Sequence, residues 1–477
     1  MTQMIIEGKS TDAASGREID VVCPSDGQVF TTIPRGAAQD VDRAVKAARA
    51  ALKGEWGALP AFERGRLLMK LSQKILAHHD ELAEIEARDT GKPLTTARTD
   101  VTVLARYFEF YGGGADKVHG QTLPFLNGYS VQVVREPLGV TAHILPWNYP
   151  AQMFGRSVAP ALAMGNAIVV KPAEDACLSV IRVAELALEV GFPAGALNIV
   201  TGLGEEAGAA LARHPGINFI SFTGSNEVGV MVQQAAALNA VKCTLELGGK
   251  SAHVVFEDAD FERAAAAICR GIVQNTGQTC TAGSRVLVQK SAQDRFMKVL
   301  VAEFSKKTAG TPDMDLDCGP LINKTQFERV NGYVETGRKE GLSVVVEGQV
   351  ADGVPPGGYF VRPMIFSAPR HESRLLTEEI FGPVLVTVPF ETEAEAIELA
   401  NATHYGLMAA VWSENGGRQQ RVARAMEAGQ VYINSFGAGG GVELPFGGVK
   451  RSGHGREKGF IAMEEMSTVK TIIHYHG

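Results

Sequence analysis

The sequence predicts an α/β protein with two doubly wound parallel-sheet domains and a small β-hairpin element. Three observations carry that prediction. From residue 140 onward, short apolar strands alternate with alanine-rich helical stretches, the pattern of a mostly parallel sheet covered on both faces. The alternation restarts after Gly249, and 477 residues are too many for one ordinary core. Residues 123–135, LPFLNGYSVQVVR, place an Asn-Gly pair between alternating apolar positions, a hairpin signal.

In chain order, residues 1–37 carry short alternating stretches (MIIEG, IDVV, VFTTI) broken by Gly, Asp and Pro, predicting strands or hairpin pieces against a larger body. Residues 38–82 change period. Val41, Ala44, Val45 and Ala48, then Leu67, Leu68, Leu71, Ile75 and Leu82, recur at helical spacing and predict amphipathic helices. A further helix is expected over 99–111, ended by the glycines at 112–114. The strands VTAHIL, AIVVKP, LNIVTG, NFISFTG and CTLELGG then lead to Asn148, Lys171, Gly202, Ser225 and Glu246. Ligands of parallel sheets sit at such carboxyl ends, so this is a nucleotide-type unit. The second unit opens with HVVF, a helix over 260–273 and SRVLVQ. The tail TVKTIIHYHG is strand-like and can pair with the hairpin, and a partner subunit is the expected cover for both.

Composition bounds the function. Net charge is −7 with no basic run, so the sequence carries no footprint for nucleic acid or an anionic membrane. Cys23, Cys177, Cys243, Cys269, Cys280 and Cys318 are scattered, without a C-x-x-C pair or a His cluster at metal spacing. That pattern predicts a reducing compartment, no disulfide framework and no metal site. No export signal opens the chain and no apolar run reaches membrane length, so a cytoplasmic protein is expected.

Cys280 lies in QNTGQTCTAGSR, residues 274–285, among small and polar neighbours that leave a sulfur accessible. Gly277 and Gly283 are expected to let backbone N–H groups approach whatever the sulfur attacks. Read alone, Cys280 is nearly as well explained as a small hydrophobe in a turn. The same balance holds for the other candidates. Glu246 in LELGGK is a general base with a raised pKa or a satisfied buried carboxylate. Asn148 in PWNYP is an oxyanion donor or a turn residue. Gly224 and Ser225 in FTGSNEVG suit a phosphate or form an ordinary N-cap. Lys171 and Glu174 in KPAE hold a ribose or pair on the surface. Gly202-x-Gly204-x-x-Ala207 is a loose dinucleotide fingerprint.

Taken jointly and in order, PWNYP, KPAE, FTGSNEVG, LELGGK, GQTC, EEIFGP and PFGGVKRSGHGRE resemble the NAD(P)-dependent aldehyde dehydrogenase superfamily, of the hydrolytic rather than CoA-acylating type. The resemblance covers nearly the whole chain. It implies a Rossmann-like NAD-binding domain over 1–118 and 138–248, and a catalytic domain over 249–448. Residues 119–137 and 462–477 would form the bridging element of a homodimer or homotetramer. Cys280 would be the nucleophile and Glu246 the base, and Asn148 with the Cys280 N–H would make the oxyanion hole. Leu145, Pro146, Trp147, Lys171, Glu174, Gly204, Gly224, Ser225, Gly229, Leu247, Glu379 and Phe381 would hold the cofactor. Glu174, facing a ribose, favours NAD over NADP. Tyr149, Arg156 and Phe446 would meet the substrate, with Arg156 gripping a semialdehyde's carboxylate or pairing with a protein carboxylate. The loop 436–442 (FGAGGGV) would border the pocket and leave room for an aromatic aldehyde. The chain departs from the pattern at Asn226 and at Ala176-Cys177, which leaves the phosphate contacts open and makes Cys177 a second candidate thiol. A CoA-acylating enzyme and an NAD-independent cysteine esterase on the same scaffold are the alternatives.

Overall fold

Local periodicity accounts for most elements, and parallel pairing decides where their functional ends meet. The computed structural model describes residues 2–368, 372–437 and 441–477. Its first strands, β1 (Met4–Ile6), β2 (Lys9–Thr11), β3 (Glu18–Val22) and β4 (Val29–Pro34), form two antiparallel pairs. Helices α1 (Ala38–Ala51), α2 (Glu55–Ala58), α3 (Ala61–Ala77), α4 (His79–Thr90) and α5 (Leu94–Gly114) follow. The apolar stripes read from the sequence face inward, with Val41, Ala44, Leu68, Leu71, Ile75 and Leu82 all at 0% exposure.

The glycines at 112–114 do not stop the helix; they form the last turn of α5. A Cβ on Gly65 would stand 2.5 Å from the Gly112 carbonyl oxygen, and one on Gly112 would stand 2.9 Å from that of Gly65. The missing side chains therefore let α3 and α5 touch backbone to backbone. That contact offsets the roughly 1 kcal/mol that each glycine costs a helix.

The hairpin forms from β5 (Gln121–Leu123) and β6 (Tyr129–Pro137), but Asn127-Gly128 is not a two-residue turn. Leu123 pairs with Val131, so residues 124–130 make the connection, and Pro124 offers no N–H to extend the ladder. The tail strand Ser467–Tyr475 pairs antiparallel with the other edge of β6, as expected. Phe125 and Leu126 in the connection, and Val469, Ile473 and Tyr475 on the tail strand, are exposed.

The first large sheet contains β7 (Val140–Ile144), β8 (Ala167–Lys171), β9 (Leu197–Ile199), β10 (Phe219–Thr223) and β11 (Lys242–Glu246). Helices α6 (Pro150–Ala163), α7 (Leu178–Glu189), α8 (Ala209–Arg213) and α9 (Asn226–Ala237) intervene. The strand order is β2-β1-β9-β8-β7-β10-β11, with Gly453–His454 closing the far edge. From β7 to β11 the pairings are parallel, so the carboxyl ends share one edge. The chain builds outward from β7 to β9 and then returns to place β10 on the other side of β7. Loops leaving β7 and β10 therefore diverge and open a crevice between them.

The second sheet is ordered Ser343–Glu347, Met364–Ser367, Val384–Phe390, β13 (Arg285–Gln289), β12 (Ala252–Val255), Met408–Trp412 and Gln430–Ile433. It is parallel except at its Ser343–Glu347 edge. Helix α10 (Phe261–Val273) leads from β12 into the Cys280 loop. Among the described residues no helix is long and apolar enough to cross a membrane.

The α3–α5 contact is testable. Gly65→Val should cost about 1–3 kcal/mol through overpacking and lower the thermal unfolding midpoint. An unchanged melt would refute the close approach.

Candidate active site

One cavity of about 910 Å³ occupies the crevice and reaches the second sheet. Pro146, Trp147 and Asn148 line it from the β7 end, Gly224 and Ser225 from β10, and Glu246 and Leu247 from β11. Cys280, Glu379 and Phe381 line it from the opposite side. Ser225 caps α9, its hydroxyl accepting the Val228 N–H at 3.3 Å. The unpaired N–H groups of that first turn give the cavity an anion-tolerant corner. Asn226, the first residue of α9, also lines the cavity, with its side-chain amide donating to the Arg451 carbonyl at 2.5 Å.

Cys280 is half-buried. Upstream, Asn275, Thr276 and Gly277 all have positive φ (47°, 57° and 72°), a left-handed turn that costs roughly 1–2 kcal/mol for each non-glycine residue. Buried side-chain bonds hold the turn. Thr276 Oγ1 donates to the Gly319 carbonyl at 3.0 Å and accepts the Gly319 N–H at 3.0 Å. Asn275 Nδ2 donates to the Asn148 carbonyl at 2.8 Å. Asn148 Nδ2 in turn donates to the Gln278 carbonyl at 2.9 Å, and the hydroxyls of Tyr149 and Thr279 meet at 2.8 Å. The loops carrying Asn148 and Cys280 are thus tied directly to each other.

The glycines beside Cys280 have a different use from the one expected. A Cβ on Gly277 would fall 2.2 Å from the Gly382 carbonyl, and one on Gly283 would fall 1.9 Å from His253 Nε2. Protein, not ligand, fills the space they leave.

Glu246 is 2% exposed, and neither of its carboxylate oxygens has a hydrogen-bond partner. Burial pushes its pKa well up, Arg156 pulls it down and Glu457 pushes it up again. Arg156 is equally buried. It bonds through Nε to Glu457 and stands 3.6 Å from Glu246, while Glu457 also accepts the Ser221 hydroxyl at 2.9 Å. Of the two uses the sequence leaves open for Arg156, this geometry supports the pairing with a protein carboxylate. Arg156 also lines the cavity, while Glu457 and Glu246 give its charge protein neighbours in a buried setting.

The remaining sequence candidates fall into two groups. Lys171 Nζ meets Glu174 at 2.5 Å, and Glu174 accepts the Gly204 N–H at 3.3 Å; these three stand together at the carboxyl ends of β8 and β9, outside the main cavity lining. Burial raises the Glu174 pKa and Lys171 lowers it further, so the carboxyl ends below its ordinary value and is charged at neutral pH. Glu379 accepts the Gly249 N–H at 2.8 Å, and burial pushes its pKa up to about 7. Phe381, at φ 63°, meets the Trp147 ring edge-on at 5.3 Å. Leu145 is buried with its N–H on the Lys171 carbonyl. Gly229 lets Leu247 pack close, since a Cβ there would stand 2.5 Å from the leucine. Tyr149 and Phe446 line the cavity, both 5% exposed. Gly437 and Gly441 line it as well, whereas 438–440 of the predicted pocket loop lie outside the described residues. Cys177 is fully buried and burial raises its pKa well above the thiol range, so it is not a second reactive thiol.

Two features escaped the sequence reading. Lys92 is fully buried behind Asn148, donating to the Asn148 carbonyl at 3.1 Å, Glu86 at 3.1 Å and Asp100 at 2.5 Å. The Gly-Lys-Pro that contains it reads as a turn, and nothing local discloses its three partners. Lys458 lines the cavity beside Phe446, directly after the Glu457 that closes the last motif.

Comparison with known proteins agrees with this geometry. Residues 11–472 match the aldehyde dehydrogenase family. Aldehyde dehydrogenase family 2 member B4 of Arabidopsis thaliana is 40% identical over 99% of this chain and 88% of its own length. The benzaldehyde dehydrogenase of Antirrhinum majus is 39% identical over the same shares. The crystal structure of betaine aldehyde dehydrogenase from Staphylococcus aureus in complex with NAD⁺ superposes with a TM-score of 0.97 at 37% identity, covering 100% of this chain and 95% of that one.

The thiol itself offers a direct measurement. Burial pushes the Cys280 pKa up to about 12, with Arg156 pulling down and Glu379 and Glu246 pushing up. Below a raised pKa the neutral thiol dominates, and the reactive thiolate grows about tenfold per pH unit. Iodoacetamide labelling of the Cys280 peptide in the free protein should accelerate about 100-fold from pH 7 to 9. A rate independent of pH would mean that the thiolate already exists at neutral pH.

Proposed function

This chain belongs to the aldehyde dehydrogenase family, and we propose that it oxidises an aldehyde to the carboxylic acid with NAD⁺ and water. The reading rests on one observation: Cys280, Asn148 and Glu246, from three separate segments, line a single cavity. The residues around it suit a dinucleotide. The α9 N-terminus fits its phosphates, and Glu379 and Glu174 offer acceptors for ribose hydroxyls. The charged Glu174 would repel a 2′-phosphate, which supports NAD over NADP. Bound NAD⁺ supplies the hydride acceptor.

The chain's own groups supply the rest. Cys280, as thiolate, adds to the carbonyl carbon to give a thiohemiacetal. One hydrogen of the Asn148 amide is taken by Gln278, and the other is left for the oxyanion, together with the Cys280 N–H. Oxidation leaves a thioester on Cys280, and Glu246 takes a proton from the water that hydrolyses it. Burial raises its pKa, which makes it a stronger base for water, and Arg156, 3.6 Å away, favours its charged form.

On this reading residues 1–118 and 138–248 hold the cofactor and 249–448 carry the nucleophile. Residues 119–137 and 462–477 join copies into a homodimer or homotetramer, which the exposed apolar side chains of the three-stranded sheet support. The six free thiols support a cytoplasmic setting. Tyr149, Met153, Met408 and Phe446 give the cavity an apolar wall that would accept an aliphatic or aromatic aldehyde body.

Asn148→Ala should slow turnover by about 100- to 1,000-fold; full activity in that variant would remove the oxyanion role. Glu246→Gln should keep a first-turnover burst of NADH while steady-state release falls. An unchanged steady-state rate would contradict the base assignment.

A further inference from the structure

Behind Asn148 lies a buried charged cluster that the chemistry above does not use. Glu86 on α4, Lys92 in the turn between α4 and α5, and Asp100 on α5 are at most 1% exposed. Lys92 Nζ donates to Glu86 at 3.1 Å, to Asp100 at 2.5 Å and to the Asn148 carbonyl at 3.1 Å. An ammonium has three N–H donors, and all three are engaged. Burial pulls the Lys92 pKa down, but Asp100 and Glu86 outweigh it and leave it raised, so the ammonium form persists. A buried ion cluster is weak evidence for stability, since packed apolar side chains often serve as well in its place. What the cluster holds explains it better.

Its contacts converge on residues 148–152. Besides the Asn148 carbonyl on Lys92, the Ala151 N–H donates to Glu86 at 3.5 Å and Gln152 Nε2 donates to Asp100 at 2.6 Å. The Lys92 ammonium also lies 4.6 Å from the centre of the Tyr149 ring. Pro150 opens α6 here, and Tyr149, its N-cap residue, makes no side-chain cap. The first turn of α6 is therefore held from outside. The Asn148 carbonyl itself is held twice, by Lys92 at 3.1 Å and by Asn275 Nδ2 at 2.8 Å, one donor for each lone pair. With both engaged, the peptide plane after Asn148 cannot turn without breaking a buried hydrogen bond. The Asn148 Cα lies in that plane, so fixing the plane fixes the base from which the side-chain amide projects.

We propose that Lys92 is a positioning residue for the reaction: through the Asn148 carbonyl it aims the Asn148 amide at the oxygen of an aldehyde held on Cys280. Lys92 touches no reacting atom and acts only through Asn148. This rests on the oxyanion role proposed for Asn148 and deepens it by naming what holds the amide in place.

The test is a double-mutant cycle on NADH release, run with the aldehyde that the wild-type protein turns over fastest in a panel of aliphatic and aromatic aldehydes. Lys92→Met should lower kcat about 10- to 100-fold while the KM for NAD⁺ stays within about threefold. In an Asn148→Ala background the same substitution should cost no more than about threefold, because the amide it positions is gone. Lys92→Met leaves two carboxylates buried without their cation, which can prevent folding. The triple variant Lys92→Met, Glu86→Gln, Asp100→Asn removes those charges. It should melt near wild type and show the same loss of kcat with the same dependence on Asn148. Undiminished kcat in the folded variants, or equal losses with and without the Asn148 amide, would overturn the Lys92 assignment and leave the oxyanion role of Asn148 standing. A fully active Asn148→Ala would overturn both.

Discussion

The tie between the Asn148 loop and the Cys280 loop is the interaction on which the site depends. The two residues are carried by different sheets, so neither sheet alone brings an amide donor near a thiol. Asn275 and Lys92 hold the Asn148 carbonyl, Asn148 holds Gln278, and Tyr149 meets Thr279. All six of these residues are buried, where a hydrogen bond is stronger than in water and an unmade one is costly. The left-handed turn at Asn275 and Thr276 is unfavourable by itself. It persists because each of its side chains secures a backbone group elsewhere.

Burial imposes a second constraint around Glu246. A carboxyl that must act as a base is kept from water, which raises its pKa, and a nearby cation stops the shift from becoming prohibitive. Arg156 is that cation, and Glu457 fixes it in place.

Much of the fold was legible in the sequence because helix and strand periods are local properties. The stripes at Val41 to Leu82, the five strands ending at Asn148, Lys171, Gly202, Ser225 and Glu246, and the pairing of the tail with β6 all followed from period and turn chemistry. The glycines were misread for one reason. A glycine records that something stands close, but the sequence does not say what. At Gly112 the neighbour is another helix, at Gly277 a backbone carbonyl and at Gly283 a histidine.

Taken alone, the sequence determined the α/β class, the parallel edge where a ligand belongs, and the residue types able to perform covalent acyl chemistry there. Tertiary structure alone decided which charges are matched. Arg156 and Glu457 are 301 positions apart, and Lys92 reaches Asn148 across 56. Partners at such separations leave no periodic trace, yet in a low-dielectric interior they determine whether a charge is available to a ligand or already matched within the protein.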